Sequence, residues 1–232
     1  MLKAVVFDLD DTLYPERQYV VSGFRAVADW CEEKLGLCAD DCAAELEALL
    51  DQGVRGDTFN ELLRHYGLQP QELVPQMVSL YRRHRPEIAL YPGIAELLIR
   101  LKKFHLLGLV SDGPVEMQRS KLDALQLHSS LDAVVLSDEF GVAFRKPSAK
   151  PFEAVIEKLK VYPHEAVYVA ENCLKDFIGP RKLGMRSVRV REPSGFYTHI
   201  EPPSPDHAAD VEIRSLADLE AVLVRDHEEA GG

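Results

Sequence analysis

The sequence is poor in the marks of several large protein classes. Its 232 residues hold only four cysteines, Cys31, Cys38, Cys42 and Cys173. Their spacing contains no C-x-x-C pair, and the histidines form no H-E-x-x-H, so a zinc site is not expected. The cysteines are expected to stay reduced and to pack as small hydrophobes. Positive charge is scarce: 27 Lys and Arg stand against 38 Asp and Glu, a formal net charge of −11. Nonspecific affinity for nucleic acid or anionic membrane needs basic patches and is not expected. A small phosphorylated ligand stays open, because a local metal or lysine overrides the global field. No apolar run approaches the ~18 residues needed to span a bilayer. Residues 1–7 turn acidic at Asp8 and lack the long apolar core and cleavage site of a secretory signal. They are expected to form a buried first strand of a cytoplasmic protein.

What is present falls into two patterns. The run at residues 2–7, β-branched at Val5 and Val6, ends in Asp8-Leu9-Asp10-Asp11-Thr12. Helical spacing then takes over across residues 15–90. Val20, Phe24, Val27, Cys31 and Leu35 share one helix face, with Gly36 as a stop. Cys42, Leu46 and Leu49 mark a second helix, and Phe59, Leu62, Leu63 and Tyr66 a third, ended by Gly67. Met77, Leu80 and Tyr81 mark a fourth, expected to begin near Pro75 because proline suits a first turn. Four short helices with no strand between them predict a small helical bundle inserted into another domain. From Tyr91-Pro92-Gly93 onward, helices over 94–103, 114–125, 150–159 and 174–183 alternate with strands over 106–110, 133–136, 166–170 and 187–190. A proline-rich connection at 193–208, a short strand at 211–213 and a last helix follow. Ser215 can cap that helix, with Asp218 as its capping-box acid, before a polar, frayed tail at 226–232. The alternation predicts an α/β fold whose Rossmann-like parallel sheet is covered on both faces. The expected domains are an α/β core of residues 1–14 and 91–232 and a helical domain of residues 15–90.

In such sheets ligands bind beyond the carboxyl ends of the strands, so reactive residues should collect there. Strand one ends in Asp8 and Asp10, which point the same way if the chain stays extended. Paired carboxylates repel unless a cation or shared proton relieves them, so the pair reads as a nucleophile beside an acid/base or as a polar strand end capping a turn. The second strand runs into Ser111-Asp112-Gly113, which can cradle a phosphate or merely cap a helix. Lys146, barred from helix by Pro147, can offset phosphate and carboxylate charge or sit solvated on the surface; Arg145 and Lys150 are its local competitors. The strand over 166–170 leads to Glu171 and Asp176, oxygen donors of the kind magnesium prefers, though acids at a helix start are also favoured by its dipole.

In this order and placement, the motifs resemble those of the haloacid dehalogenase (HAD) superfamily over nearly the whole chain. Asp8-Leu9-Asp10-Asp11-Thr12-Leu13 is similar to its first motif, Ser111 to the second, Lys146 in Arg-Lys-Pro to the third, and the segment from Glu171 to Asp176 to the fourth. The helical insert resembles the cap of the phosphatase branch. The resemblance implies a HAD-like core and a magnesium-dependent phosphatase in which Asp8 attacks phosphorus and Asp10 protonates the leaving oxygen, then activates water. It implies Lys146 as a charge-stabilising catalytic residue. Thr12, Ser111, Asp112, Gly113 and Lys146 are implied as substrate contacts, and Asp8, the Asp10 carbonyl, Glu171 and Asp176 as the Mg2+ set. The family usually has Gly-Asp where this chain has Ala170-Glu171, which implies a working but altered metal site. Asp10 argues against a dehalogenase, whose halide leaving group needs no proton; a phosphomutase and a binding protein on a retired HAD fold are the alternatives. The expected partner is a small phosphorylated metabolite, a sugar phosphate or nucleoside monophosphate, bound by a monomer or homodimer. Arg17, Arg25, Arg82, Arg83, Arg85, Tyr14, Tyr19 and Phe24 are candidates for choosing it.

Overall fold

The computed structural model describes residues 2–229. Residues 230–232, the end of the expected tail, lie outside the described residues. Ala4, Val5, Val6 and Phe7 have no polar face, and as β1 (Ala4–Phe7) they are fully buried, as a strand covered on both sides must be. Five more strands join it: β2 (Leu106–Ser111), β3 (Ala133–Leu136), β4 (Ala166–Ala170), β5 (Arg186–Val190) and β6 (Val211–Ile213). All pairings are parallel, in the order β3-β2-β1-β4-β5-β6. The expected parallel α/β core is therefore the fold. The chain starts at central β1, moves outward through β2 and β3, then crosses back to build β4, β5 and β6 on the other side. Connections diverge at the β1–β4 boundary, which leaves a crevice at the carboxyl ends of these two strands.

The chain divides into two compact units, Met1–Glu16 with Ala89–Gly232, and Arg17–Ile88. The second contains most of α1 (Glu16–Leu35), then α2 (Ala39–Asp51), α3 (Thr58–His65) and α4 (Pro70–Arg83). Its core is aromatic: Phe24 meets Phe59 at 6.0 Å, Phe59 meets Tyr81 at 5.8 Å, and Tyr19 meets Tyr81 at 5.6 Å between ring centroids. Gly23 makes this possible, since a Cβ there would lie 2.5 Å from the Tyr81 ring. Tyr19 and Phe24 are thus packed inside this unit. On its surface Arg17 pairs with Asp51 at 2.5 Å, and Arg25 with Asp29 at 2.9 Å and Asp40 at 2.6 Å. One expectation is corrected: the fourth helix starts at Pro70, with Pro75 inside it. Pro70 takes the first-turn position, where no N–H is needed, and Pro75 costs only one bond early in the helix.

The first unit adds α5 (Ile94–Leu101), α6 (Val115–Ala124), α7 (Lys150–Leu159), α8 (Ile178–Leu183) and α9 (Leu219–Glu229). From α7, Phe152, Val155 and Ile156 pack into one cluster with Val6, Val110, Val135 and Tyr168 of the sheet. Two further boundaries differ from expectation. The helix expected from residue 174 begins at Ile178, because the preceding segment is wound into turns by its own polar groups. Asn172 Oδ1 accepts the Leu174 N–H (3.0 Å), and Asp176 Oδ2 accepts the Asn172 N–H (2.9 Å). The last helix runs to Glu229, past the expected start of a frayed tail. Ser215 accepts the Ala217 N–H ahead of it. Cys31, Cys42 and Cys173 are buried free thiols as expected, whereas Cys38 is exposed. Among the described residues no helix is long and apolar enough to cross a membrane.

Candidate active site

β1 stops at Phe7, and the Asp8 N–H makes one more bond, to the Val169 carbonyl at 2.9 Å. The chain then coils. Leu13 N donates to Leu9 O at 3.0 Å, and Asp11 takes the left-handed conformation at φ 51°. The Asp11 carboxylate offsets that strain by accepting the Glu16 N–H at 2.7 Å and the Phe196 N–H at 2.8 Å. Asp8 and Asp10 both reach the cleft beyond the strand before the chain turns at Asp11. The turn hands the two carboxylates to different lysines.

Asp8 Oδ1 accepts from Lys146 Nζ at 2.6 Å, and the same ammonium lies 2.7 Å from Asp176 Oδ1 and donates to the Tyr168 hydroxyl at 3.1 Å. The Lys146 side chain is wholly buried. Asp10 Oδ1 accepts from Lys121 Nζ at 2.6 Å and from the Tyr14 hydroxyl at 2.5 Å. Asp112 follows β2; its Oδ1 accepts the Ser137 hydroxyl at 2.7 Å and the Lys146 N–H at 3.1 Å, and its Oδ2 faces Lys175 Nζ at 3.0 Å. Gly113, at φ +132°, leaves room for Gln118, whose Nε2 would be 2.6 Å from any Cβ there and donates to the Asp112 carbonyl.

These groups surround one cleft of about 440 Å³. Of the expected site residues, Asp8, Asp10, Asp112, Gly113, Lys146 and Glu171 line it. Thr12, Ser111 and Asp176 are buried beside them in the sequence and fold, and the Thr12 and Ser111 hydroxyl oxygens have no hydrogen-bond partner. Glu171 Oε2 is likewise buried and unpartnered. Among the described residues no three His, Cys, Asp or Glu side chains are grouped as a metal ion requires: Asp8 and Asp176 close on Lys146, and Asp10 turns to Lys121.

The model of the haloacid dehalogenase-like hydrolase family matches residues 5–190. The chain belongs to that family. The glyceraldehyde 3-phosphate phosphatase of Methanopyrus kandleri is 36% identical to it, over 97% of this chain and 100% of that one. The glyceraldehyde 3-phosphate phosphatase of Methanocaldococcus jannaschii is 30% identical over 94% and 96%. A crystal structure of a HAD phosphatase from Thermococcus onnurineus superposes with a TM-score of 0.62 at 28% identity, covering 96% of this chain and 98% of the other. Kinship of this extent makes the chain a HAD hydrolase of the phosphatase kind.

The electrostatics of this HAD site separate its acids. Burial, with Asp176 and Asp10 nearby, pushes Asp8 up to about 7 against the pull of Lys146 and Lys175. Burial also pushes on Asp10, but Lys121 and the Tyr14 hydroxyl win and hold it below the usual carboxylate range. Burial and the charges of Asp11, Asp176 and Asp8 raise Glu171 to about 9. Glu16, which also lines the cleft, rises to about 8 through burial and the neighbouring Asp10.

Three residues lining this HAD cleft escaped sequence reasoning, Glu16, Lys121 and Lys175, while Tyr14, a candidate for choosing the substrate, donates instead to Asp10. Lys121 carried a readable signal. It lies on the stripe of Gln118, Leu122 and Leu125, all buried, and a lysine on a buried helix stripe needs an acidic partner. Nothing in the sequence says that the partner is Asp10, 111 residues away.

Proposed function

We propose that this HAD phosphatase is a divalent-metal-dependent enzyme that hydrolyses a small phosphorylated metabolite through a phosphoenzyme formed on Asp8. The observation that carries the reading is the turn after β1, which sets two carboxylates on one cleft, each held by its own buried lysine. In the first half-reaction an Asp8 carboxylate oxygen attacks phosphorus, the bond from phosphorus to the leaving oxygen breaks, and Asp10 supplies that oxygen with a proton. In the second, Asp10 takes a proton from water as it attacks phosphorus, which frees inorganic phosphate and restores Asp8. Lys146, fixed beside Asp8, offsets the charge on the transferring oxygens, the main source of catalysis in phosphoryl transfer. The unpartnered Ser111 hydroxyl and the backbone around Gly113 are suited to donate to the same group.

The chemistry of the donors, though not their present grouping around Lys146, suits a hard divalent cation such as Mg2+. Asp8, Glu171 and Asp176 supply oxygens only, Glu171 Oε2 is unpartnered, and Asp8 and Glu171 are raised by burial and by neighbouring carboxylates, which added positive charge would relieve. Those side chains, with the Asp10 carbonyl, would hold it. When bound, it would withdraw charge from the phosphoryl oxygens.

The two related phosphatases act on a three-carbon aldose phosphate, which favours a small phosphosugar over a nucleotide. Inserted between the first two motifs, Arg17–Ile88 reads as the cap that selects among such substrates, in the cytoplasm where phosphorylated metabolites and free thiols both persist. The test is release of inorganic phosphate from p-nitrophenyl phosphate and from a panel of triose, pentose and hexose phosphates and nucleoside monophosphates, with Mg2+ and with EDTA. Release is expected with Mg2+, fastest on triose phosphates, and lost in EDTA. A folded protein that releases no phosphate with any divalent metal would overturn the phosphatase reading. Isomerisation of a sugar 1-phosphate in place of hydrolysis would replace it with a mutase.

A further inference from the structure

Asp112 brings negative charge to the wall of a cleft that has to accept a phosphate dianion. Alone it would repel that ligand, so its presence calls for a compensating charge fixed beside it. The Asp112 carboxylate gathers three donors from two other loops: the Ser137 hydroxyl and the Lys146 N–H on Oδ1, and the Lys175 ammonium on Oδ2. It is buried, while the Lys175 side chain keeps 36% of its surface exposed and lines the cleft. The other cations on this wall are already committed. Lys146 is enclosed and shared by Asp8 and Asp176. Lys121 is enclosed against Asp10. Arg145 spends its fork on Asp138, at 2.6 and 2.7 Å. Lys175 alone of the four is both open to the cleft and held by a single monodentate bond. Its charge reaches across the site, helping to hold down Asp8, Asp10 and Glu16 as well as Asp112.

We propose that Lys175 contacts the phosphoryl oxygens of substrate and product as a second phosphate-binding cation, and that Asp112 is the positioning residue that aims it. This assignment rests on the phosphatase reading and gives the Asp112 side chain a role other than direct substrate contact. It also accounts for how the site tolerates an acid at that place: the ammonium that the carboxylate fixes offsets the negative charge it adds.

The test uses inorganic phosphate as the probe, in calorimetry with Mg2+ and as a product inhibitor of p-nitrophenyl phosphate hydrolysis. Lys175→Met is expected to weaken phosphate binding ten- to a hundredfold, the effect of one lost charge-assisted bond, with the far-UV spectrum unchanged. Lys175→Arg should recover part of the loss. Asp112→Asn keeps an acceptor for Ser137 and the Lys146 N–H but turns an amide toward Lys175, and should weaken phosphate several-fold in the otherwise native enzyme. In the Lys175→Met background the same change should cost nothing further, because the group it aims is gone. Phosphate affinity of Lys175→Met within twofold of the native value, or full additivity of the two substitutions, would overturn the assignment. If Lys175→Met does not fold, Lys175→Gln and Lys175→Arg carry the same comparison. A native enzyme that neither binds phosphate nor turns over would instead sink the phosphatase reading itself, which separates the two failures.

Discussion

On one side of the turn after β1, a single buried ammonium, Lys146, serves both Asp8 and Asp176; on the other, Lys121 and the Tyr14 hydroxyl both serve Asp10. In the first region burial, with Asp176 close by, outweighs the pull of the lysine, and Asp8 rises to about 7. In the second the lysine and the hydroxyl win, and Asp10 falls below its ordinary value. Two carboxylates whose surroundings push them apart are suited to different tasks. The Asp8 side is short of positive charge, where a nucleophile and a cation would work together. The Asp10 side holds a resting carboxylate ready to act as a base. A phosphate dianion arriving beside Asp10 would raise it again by repulsion, so on the proposed mechanism the proton for the leaving oxygen is gained with the substrate.

The largest effect that could break this contrast is expected from Asp8→Asn. It removes the nucleophile, so kcat should fall on the order of 10⁴-fold or more, while the fold persists because one charge leaves an overcrowded region. Steady-state rates and a thermal melt check both halves; turnover within a hundredfold of native would remove Asp8 from the covalent role. Asp10→Asn should cost less in rate, roughly 10²- to 10⁴-fold, and more in stability. It removes the carboxylate 2.6 Å from the buried Lys121 ammonium and leaves Glu16 as its acidic neighbour, a loss of roughly 1–3 kcal/mol in a urea titration. The rate loss should be greater for alkyl phosphates than for p-nitrophenyl phosphate, whose leaving group needs little protonation. Equal losses for the two would argue that Asp10 acts only through structure.

How much of this was open to reading depends on how far apart the cooperating residues are. The strand pattern is local, so β3, β4 and β6 fall where alternation and apolar runs place them, and β1 ends within one residue of its acids. Asp8, Asp10 and Glu171 were legible because each lies just beyond a buried strand, and parallel order carries such ends to one edge; Lys146, well past β3, was legible from the Pro147 that bars it from helix. The turn at Asp11 was not legible, since its left-handed backbone depends on the Phe196 N–H, 185 residues away. The Lys121 pairing was hidden for the same reason. In α4, Pro75 misled because a proline that suits a helix start was already present at Pro70. The segment before α8 misled because Asn172 and Asp176 bond their own backbone in place of helix.

The smallest expected effect tests the charge deficit on the Asp8 side directly. Asp8 and Glu171, raised to about 7 and 9 from ordinary values of 3.8 and 4.5, and Glu16 beside Asp10, raised to about 8 from 4.5, bind protons more tightly in the folded chain than in the unfolded one. Their contribution is fully present below about pH 4 and is lost as pH climbs through those raised values. Asp10 has the opposite sign, with a contribution lost only in acid, below its ordinary 3.8. In EDTA the melting temperature should therefore drop between pH 6 and pH 9, by roughly 5 °C for a domain of this size. A divalent cation binds the ionised carboxylates, so Mg2+ should raise the melting temperature more at pH 9 than at pH 6 and should release protons on binding. Glu171→Gln should flatten the EDTA profile most, because Glu171 is raised furthest. A profile already flat in the native protein, or an equal Mg2+ increment at both pH values, would mean that the Asp8 side carries no deficit for a metal to fill.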